Sequence, residues 1–542
     1  MTSESHEGGS PTATAHVPDT SAIDSLGRGT IVMTFGTMAL LLLNFIGRVY
    51  TARNLSVAEF GDFNLGLAFA GLLALVALVG LHQAMARTIA ETRDSTVRRK
   101  VIRWAAVVTG ISATVTSVLV YVLAAPIASL FGGGGAGSPL TMVFQLFSVT
   151  IGLTLLCTFL ASIFQGFEDT VPNAWLNQAV QPAAFVVFVV IFLVFHLALK
   201  GALIAWVLSN VVTFVGLVVY SLRRLPRHLA PGPSAKELPT GLLSLSFAIW
   251  GVTTLTFVTA YVDTLILGAF RPETQVGIYS AVMTLARLIL VVSAAVTYIF
   301  LPVAARLKGL GDMRTLNEMF VTTTRWIMIF TVPIFLVCAL LPTNSITTVF
   351  GPAYAPGAAA LVLITGGALI SMVFGPVNAA LAGMGATRPL LLSTGISAGA
   401  NIALSFGLIP TYGLMGAAVA WTVARILYPA TAAFAMYADH GIHPFHRSLL
   451  RPLGVSLAVG VPLFVAVIFV PHPAWVVFPL YFVGLAVCIG AVLVTRSVMA
   501  GDFVACRIAE RVLGRPLPRL RRLLERSLSP MVVEGTDALR LA

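Results

Sequence analysis

The chain has 542 residues, of which 58% are hydrophobic and only 10% are charged, and its mean hydropathy is +0.94. A water-soluble domain of this length needs a more charged surface, so the composition excludes a soluble globular protein and indicates a surface that faces lipid. The net charge is +12, but the Lys and Arg residues cluster between apolar segments as membrane-protein loops do, so we expect no nucleic-acid partner.

The first 29 residues are polar and rich in Ser, Thr, Gly and Pro, and they lack the pattern of a cleaved signal. We expect a disordered cytoplasmic tail there. The apolar remainder predicts an all-α integral membrane protein with about fourteen transmembrane helices. We place these at residues 30–50, 61–86, 102–129, 141–164, 174–196, 201–222, 242–268, 277–303, 324–348, 357–382, 389–409, 414–437, 451–470 and 475–495.

The basic residues predict the orientation of these spans. Lys and Arg occupy the loops near residues 91–104, 221–239 and 306–325 and the tail after residue 495, whereas the loops FGGGGAGSP, FGPAYAPG and PTYGLMG contain none. By the positive-inside rule both termini should be cytoplasmic, in a cell membrane. The tail either lies as an amphipathic helix on anionic lipid or is a solvated positive segment that fixes topology.

A polar corner between two apolar segments occurs twice in the chain. The first corner is RNLSVAEFGDFN (residues 53–64), and the second is LILGAFRPETQVGIYS (residues 265–280). Aligning Gly61 with Gly277 gives an offset of 216 and brings four further pairs of motifs into near register. These are FG at 131 and 350, RW at 103 and 325, GxxxTxP at 166 and 383, and GAxxAW at 201 and 416.

Five matches in order predict two six-helix repeats. Because six is even, both repeats start on the same side of the membrane, and they should be related by an axis along the membrane normal around a central cavity. The predicted organisation is a tail (1–29), a first six-helix bundle (30–222), a cytoplasmic linker (223–241), a second bundle (242–437), two extra helices (438–495) and a basic tail (496–542).

Polar side chains within these spans are candidate site residues. An Arg at the bilayer centre costs about 3 kcal/mol on insertion scales, so an Arg at that depth indicates a functional or structural role that offsets this cost. Arg287 lies near mid-depth of the eighth span, and with Ser280 and Thr284 it forms a stripe at i, i+4 and i+7 on one helix face.

Two neighbouring spans carry similar polar stripes. In the seventh span Thr256, Thr259 and Asp263 recur at i, i+3 and i+7, and in the first span Asn44 and Arg48 stand at i and i+4. In the repeat alignment Arg48 falls one position from Asp263, so these helices should present opposite charges at similar depth. Together the stripes predict a partly basic cleft that receives an anionic or sugar-like headgroup.

Each of these residues also has a structural interpretation. Arg48 could snorkel to the outer interface, and Asp263 could pair with Arg48 or cap the second corner. The depth of Arg287 makes snorkelling harder and favours a functional role. Arg425 lies at mid-depth in the twelfth span without a polar stripe, which indicates a structural pairing or a smaller secondary cavity.

No catalytic constellation is found in the sequence, and we expect neither an enzyme nor a cofactor. The four cysteines lack metal or disulfide spacing, and His440, His443 and His446 are better explained by a polar interfacial loop than by a metal site. There is no Walker loop, so ATP should not power the chain directly. The sequence leaves coupling to Na⁺ or H⁺ open.

Two segments resemble a known family. VDTLILGAFRPETQVGIYSAVMTLARLI resembles the corner of Wzx-type polysaccharide biosynthesis flippases of the multidrug/oligosaccharidyl-lipid/polysaccharide exporter superfamily, and YGLMGAAVAWTVARIL is similar to a later helix start of that family. The resemblance covers roughly residues 25–495, and it rests on small-residue packing patterns that identify the superfamily better than the substrate.

The resemblance implies transfer of a polyprenyl-diphosphate-linked oligosaccharide between leaflets, with cationic cavity residues holding the headgroup. Arg287 fits that role best here, and Arg48 second. Partners would be that lipid-linked oligosaccharide, membrane lipids, and a glycan polymerase and glycosyltransferases. Two alternatives share the architecture: a cation-coupled multidrug antiporter, which should need buried acids, and a flippase for the peptidoglycan lipid precursor.

Overall fold

The computed structural model describes residues 39–92, 94–132, 137–229, 241–442 and 476–494, with a few isolated positions besides. The predicted tails (1–29 and 496–542), the beginning of the first span, most of the linker and most of the thirteenth span (451–470) lie outside these residues. The described segments are helical, and they contain no β-strand.

The helices follow one another with short connections. In chain order they are α1 (residues 39–54), α2 (Val57–Leu78), α3 (Leu81–Glu91), α4 (Ser95–Val122), α5 (Ala124–Leu130), α6 (Pro139–Gly166), a π-helical segment (Asn173–Val180), α7 (Gln181–Val194), α8 (Ala198–His228), α9 (Leu242–Phe270), α10 (Glu273–Gly309), α11 (Met313–Leu340), α12 (Pro342–Phe350), a 3₁₀ segment (Pro352–Gly357), α13 (Ala358–Val373), α14 (Val377–Gly383), α15 (Thr387–Tyr412), α16 (Leu414–His440) and α17 (Val477–Val494).

The predicted spans correspond to these helices. Within the described residues, eleven helical segments are long and apolar enough to cross a membrane, and they match the second to twelfth predicted spans in order. The described part of the first span is α1, and the fourteenth span coincides with α17. The prediction of an all-α, multi-pass membrane protein is therefore confirmed, whereas the total of fourteen spans and the bundle boundaries stay predictions.

Several spans that we expected to be continuous are interrupted. The second breaks between α2 and α3, where Val79 and Gly80 adopt positive φ angles of 45° and 68°. The tenth breaks at Gly375, with φ 64°, followed by Pro376, which has no N–H to continue a helix. The sequence window averages hydropathy over about 20 residues, so a one-residue change in backbone direction leaves no trace in it.

Corresponding helices of the two repeats, α4 and α11, begin with the same kind of cap. Asp94 caps α4 by accepting a hydrogen bond from the N–H of Thr96, and Asp312 caps α11 by accepting one from Thr315. These hydrogen bonds hold the pKa of each carboxyl below its usual range. The repeat found in the sequence is thus also present in the helix caps.

The two repeats meet where α2 crosses α10. A Cβ atom on Gly61 would overlap the carbonyl oxygen of Glu273, and a Cβ atom on Gly277 would overlap the carbonyl oxygen of Val57. Val57 and Glu273 are themselves related by the offset of 216, so the contact is reciprocal, as at an interface between two identical units. Glycine at both positions lets the two backbones touch.

Further contacts join the repeats at this end of the bundle, which we call the corner end because both corners (residues 53–64 and 265–280) lie there. The Arg53 guanidinium donates to the carbonyl oxygens of Thr348 and Val349 at the end of α12. The Tyr354 hydroxyl donates to the carbonyl of Ala52 over 3.1 Å. The carbonyl end of a helix attracts a cation, so Arg53 stabilises this closure.

Helix α9 packs along α2 towards the opposite end. Gly71 faces the ring of Phe257, which a Cβ atom would approach to 3.0 Å. Where α2 breaks, the Ser246 hydroxyl donates to the carbonyl of Val79 over 2.6 Å. The break therefore leaves the Val79 carbonyl without a partner in its own helix, and the Ser246 hydroxyl at the start of α9 donates a hydrogen bond to it.

Replacing Gly61 or Gly277 with Ala should destabilise the protein, because the added methyl group meets backbone rather than a flexible side chain. Overpacking of this kind costs about 1–3 kcal/mol. We expect a lower thermal unfolding midpoint for the purified protein in detergent. Gly110→Ala is the control, since a Cβ atom there meets nothing within 4 Å. Equal midpoints for all three variants would show that α2 and α10 do not touch as described.

Candidate functional site

A cavity of about 390 Å³ lies between α1, α2, α8, α9 and α10. We call it the α1 cavity. Its polar wall carries Asn44, Arg48, Tyr261, Thr284 and Arg287, and the rest is mainly apolar and aromatic. The predicted polar stripe on α1 (Asn44 and Arg48) and two residues of the stripe on α10 (Thr284 and Arg287) thus face the same space.

Arg48 is held in place by the second helix of its own repeat. Its Nη1 donates to Oδ1 of Asn64 over 2.9 Å, and the amide of Asn64 donates to the carbonyl of Phe60 over 2.7 Å. Asn64 is buried, so its orientation is fixed by these two bonds. One edge of the guanidinium is therefore anchored, while the side chain still lines the cavity.

Arg287 lies fourteen residues after Glu273 on α10, about 21 Å along the helix. Its guanidinium carbon is 5.2 Å from the centre of the Tyr261 ring, within the range of a cation–π interaction. Arg287 also lines a second cavity on its other side. Its position between two cavities is a property of the helix packing that the sequence pattern does not contain.

The second cavity, which we call the α16 cavity, has a volume of about 220 Å³ and lies between α9, α10, α15 and α16. Its polar lining consists of Thr256, Thr259, Arg287, Thr394, Ser397, Arg425 and Tyr428. The stripe on α9 therefore divides: Thr256 and Thr259 face this cavity, and Asp263 faces neither.

Asp263 is fully buried beside the second helix of its own repeat. Its Oδ1 accepts a hydrogen bond from the Thr264 N–H over 2.8 Å, and its Oδ2 accepts one from the Tyr279 hydroxyl. The pairing of Asp263 with Arg48 that the alignment suggested is not found. Instead Arg48 bonds to Asn64 and Asp263 bonds to Tyr279, so each repeat joins its first two helices through a polar pair, and the two pairs lie one position apart in the repeat alignment.

The electrostatic character of both cavities is basic. No Asp or Glu is among the described residues that line either cavity, and Arg48, Arg287 and Arg425 form no ion pair with any residue that the structure describes. A charged group removed from water is normally paired. Both cavities therefore favour ligands that carry negative charge.

The predicted site residues are thus distributed over three environments. Arg48, Asn44, Thr284 and Arg287 line the α1 cavity, whereas Thr256, Thr259, Arg287 and Arg425 line the α16 cavity. Ser280 is buried and, like Asp263, lines neither; its carbonyl accepts from the Thr284 hydroxyl over 2.7 Å. Substrate binding by any of them stays a prediction.

Sequence reasoning missed the aromatic residues that line these cavities: Phe45, Trp206, Phe257, Tyr261, Trp421 and Tyr428. The two tryptophans occupy the same place in the repeated motif GAxxAW, so their repetition was a usable signal. Tyr261 had no such signal, because aromatic residues inside apolar spans usually pack against other helices.

Tyr279→Phe should destabilise the protein, because Oδ2 of the fully buried Asp263 would lose its hydrogen-bond donor. An unsatisfied buried acceptor costs about 1–3 kcal/mol. The measurement is the thermal midpoint, together with transport per folded molecule. Tyr220→Phe is a matched control: its hydroxyl donates to Asp169 over 2.6 Å at a partly exposed site where water can substitute. Lost transport at an unchanged midpoint would instead place Asp263 in the transport cycle.

Comparison with known proteins agrees with this architecture. A structure described as the lipid II flippase MurJ in an inward closed conformation superposes with a TM-score of 0.67 at 14% identity, covering 85% of this chain and 97% of that one. An inward-facing multidrug resistance MATE family transporter of the MOP superfamily gives 0.61 at 14% identity, covering 76% and 98%. A point mutant of the Vibrio cholerae MATE transporter VcmN gives 0.55 at 16%, covering 78% and 97%.

These identities are too low to indicate more than a shared fold. None of the curated proteins matches the chain in sequence. A family model described as polysaccharide biosynthesis protein matches residues 26–308, which is just over half of the chain. This multi-pass membrane protein, built on the fold of MurJ and the MATE transporters, therefore belongs to the polysaccharide biosynthesis protein family.

Proposed function

We propose that the chain moves a polyprenyl-diphosphate-linked oligosaccharide from the cytoplasmic to the outer leaflet for surface glycan biosynthesis. The observation that carries this proposal is that Arg48, from the first helix of the first repeat, and Arg287, from the second helix of the second repeat, line one cavity that has no Asp or Glu among its described lining residues. A diphosphate offers several anionic oxygens, and guanidinium groups bind such oxygens through charge-assisted hydrogen bonds.

The volume of the α1 cavity limits the size of the ligand that it can hold in this conformation. At about 390 Å³ it is near the lower end of pockets that enclose a drug-sized ligand. It suits the diphosphate and the sugar next to it, while a longer glycan requires the repeats to separate. The lipid tail would stay in the bilayer, since the chain has the apolar surface to lie beside it.

Alternating access then requires the corner end to open. The contacts that must break are the α2–α10 crossing at Gly61 and Gly277 and the hydrogen bonds from Arg53 and Tyr354. Binding of an anion between Arg48 and Arg287 would draw the two repeats together around the headgroup. No chemical bond is made or broken in this scheme, and sugar polymerases and transferases would act before and after it.

The acid-free lining of the two cavities separates this proposal from a multidrug antiporter. A cationic drug needs a negative site, and protonation-driven exchange needs a titratable acid there. Asp263, the one acid among the predicted site residues, is bonded to Tyr279 outside both cavities. A peptidoglycan lipid precursor also carries a diphosphate, so the nature of the sugar distinguishes the two flippase substrates.

Arg287→Ala should abolish transport, and Arg287→Lys should restore part of it, because Lys keeps the charge but loses the bidentate geometry. Losing a hydrogen bond to a charged group costs about 1.5–3 kcal/mol, which corresponds to roughly a 10- to 100-fold loss. The measurement is complementation of a deletion strain of the native host, with its lipid-linked oligosaccharides identified by mass spectrometry.

The exposed Arg388, at the start of α15, provides the matched control as Arg388→Ala. We expect the deletion strain and the Arg287→Ala strain to accumulate one lipid-linked oligosaccharide and to lose a surface glycan. Full activity of Arg287→Ala would refute the role of Arg287. An unchanged lipid pool in the deletion strain, with new sensitivity to cationic drugs, would favour the antiporter.

Both termini and the loops at the end opposite the corners should face the cytoplasm. An impermeant maleimide applied to intact cells should label Asn54→Cys, exposed at the corner end, but not Ser95→Cys, exposed at the other end. Both variants should react after permeabilisation, which controls for reactivity. Labelling of Ser95→Cys alone in intact cells would reverse the orientation.

A further inference from the structure

We propose that the α16 cavity is a second anion site, in which Arg425 together with Arg287 binds a single phosphate-class oxyanion. It is distinct from the α1 cavity, since the two share only Arg287 among their described lining residues. The proposal stands on binding alone and does not require the transport proposal to be correct.

The repeat shows that Arg425 is not needed to build the fold at this position. Trp206 and Trp421 are equivalent, and four residues after each stand Asn210 and Arg425. Asn210 is buried and donates to the carbonyl of Trp206 over 2.9 Å. In the first repeat the side-chain amide of Asn210 therefore has a hydrogen-bond partner within its own helix. In the second repeat the buried Nε of Arg425 has none in the described part of the chain.

The guanidinium of Arg425 interacts electrostatically with Tyr428, but it makes no hydrogen bond or ion pair with a described residue. Its Nε is buried and has no hydrogen-bond partner, and no hydrogen bond or ion pair joins this residue to any other part of the chain that the structure describes. Arg425 lies eleven residues after Leu414 on α16, about 16 Å along the helix and well inside the span. An unpaired cation at that depth is unfavourable unless a ligand supplies the negative charge.

The same asymmetry occurs at Arg287, whose equivalent in the first repeat is Gly71. Gly71 has no side chain and packs against the ring of Phe257, so the first repeat places no cation at the position where the second repeat has Arg287. Two cations bordering one small cavity repel each other, and the repulsion grows as water is excluded. An oxyanion between them converts that repulsion into two attractions.

The lining hydroxyl groups indicate what kind of ligand fits. Thr394 donates to the carbonyl of Leu390 over 2.7 Å, Ser397 to that of Ala424 over 2.8 Å, and Thr259 to that of Thr256 over 2.7 Å. These protons are already used, while the guanidinium N–H groups of Arg425 are not. The α16 cavity therefore favours a ligand that accepts several hydrogen bonds and donates few.

The volume restricts the ligand further. About 220 Å³ is below the range of pockets that enclose drug-sized molecules, so a phosphate group with a few waters fits and an oligosaccharide does not. Such a group has two sources: free inorganic phosphate, or a phosphate carried on a polyprenyl lipid. Both present the same tetrahedral oxyanion to Arg425 and Arg287.

The test measures binding to the full chain in nanodiscs of zwitterionic lipid. One arm titrates radiolabelled inorganic phosphate, and the other incorporates polyprenyl phosphate and scores retention by native mass spectrometry. We expect Arg425→Gln to weaken binding at least about tenfold in one of the arms. Arg425→Lys should recover part of the affinity, and Arg388→Gln, an exposed position on α15, should leave it unchanged.

Each outcome has a defined meaning. Arg425-dependent binding of inorganic phosphate assigns the site to a free anion, and dependence in the lipid arm alone assigns it to a lipid phosphate. Affinities that do not depend on Arg425 in either arm overturn the proposal. A chain that binds phosphate through Arg425 but transports no lipid-linked oligosaccharide would refute the proposed function and leave this site intact.

Discussion

The backbone contact between α2 and α10 determines where everything else in the molecule lies. Gly61 and Gly277 allow the two helices to touch through main-chain atoms, and each glycine meets the residue four positions before its counterpart. Any larger side chain would separate the repeats and widen the space between them. The distance between Arg48, on α1, and Arg287, on α10, therefore depends on two residues without side chains. The contacts of Arg53 and Tyr354 add to this closure at the same end.

Among the described residues, both cavities are lined by basic and not by acidic side chains. Their described walls contain three arginines and no acid, and Asp263, which interacts electrostatically with Arg287, lies outside both cavities. This arrangement is unfavourable for the empty protein, and it becomes favourable when an anion enters. Arg287 connects both spaces, because it borders each of them and lies against Tyr261. An anion in one cavity therefore changes the field that an anion in the other experiences.

The repeats agree in what builds the fold and differ in what could bind a ligand. Helix caps at Asp94 and Asp312 and the reciprocal glycines are the same in both halves. In contrast, Asn210 corresponds to Arg425, and Gly71 corresponds to Arg287. The polar pairs between the first two helices of each repeat also differ, since Arg48 bonds to Asn64 whereas Asp263 bonds to Tyr279. The packing geometry is thus shared by the two repeats, whereas the cavity-lining cations are not: Arg48 belongs to the first repeat, and Arg287 and Arg425 belong to the second.

The sequence by itself determined the membrane class, the order of most spans and the repeat, because these depend on composition, on apolar length and on motifs that recur at a fixed offset. It also predicted which polar side chains share one face of α1 and one face of α10, since a helical period defines the face of each helix, and the structure shows Arg48 and Arg287 lining one cavity. Only the tertiary structure decided that Asp263 bonds to Tyr279, that Arg287 borders two cavities, and that α2 breaks at Gly80. A period specifies the face of a helix, but the helix that this face meets is set by packing between segments hundreds of residues apart.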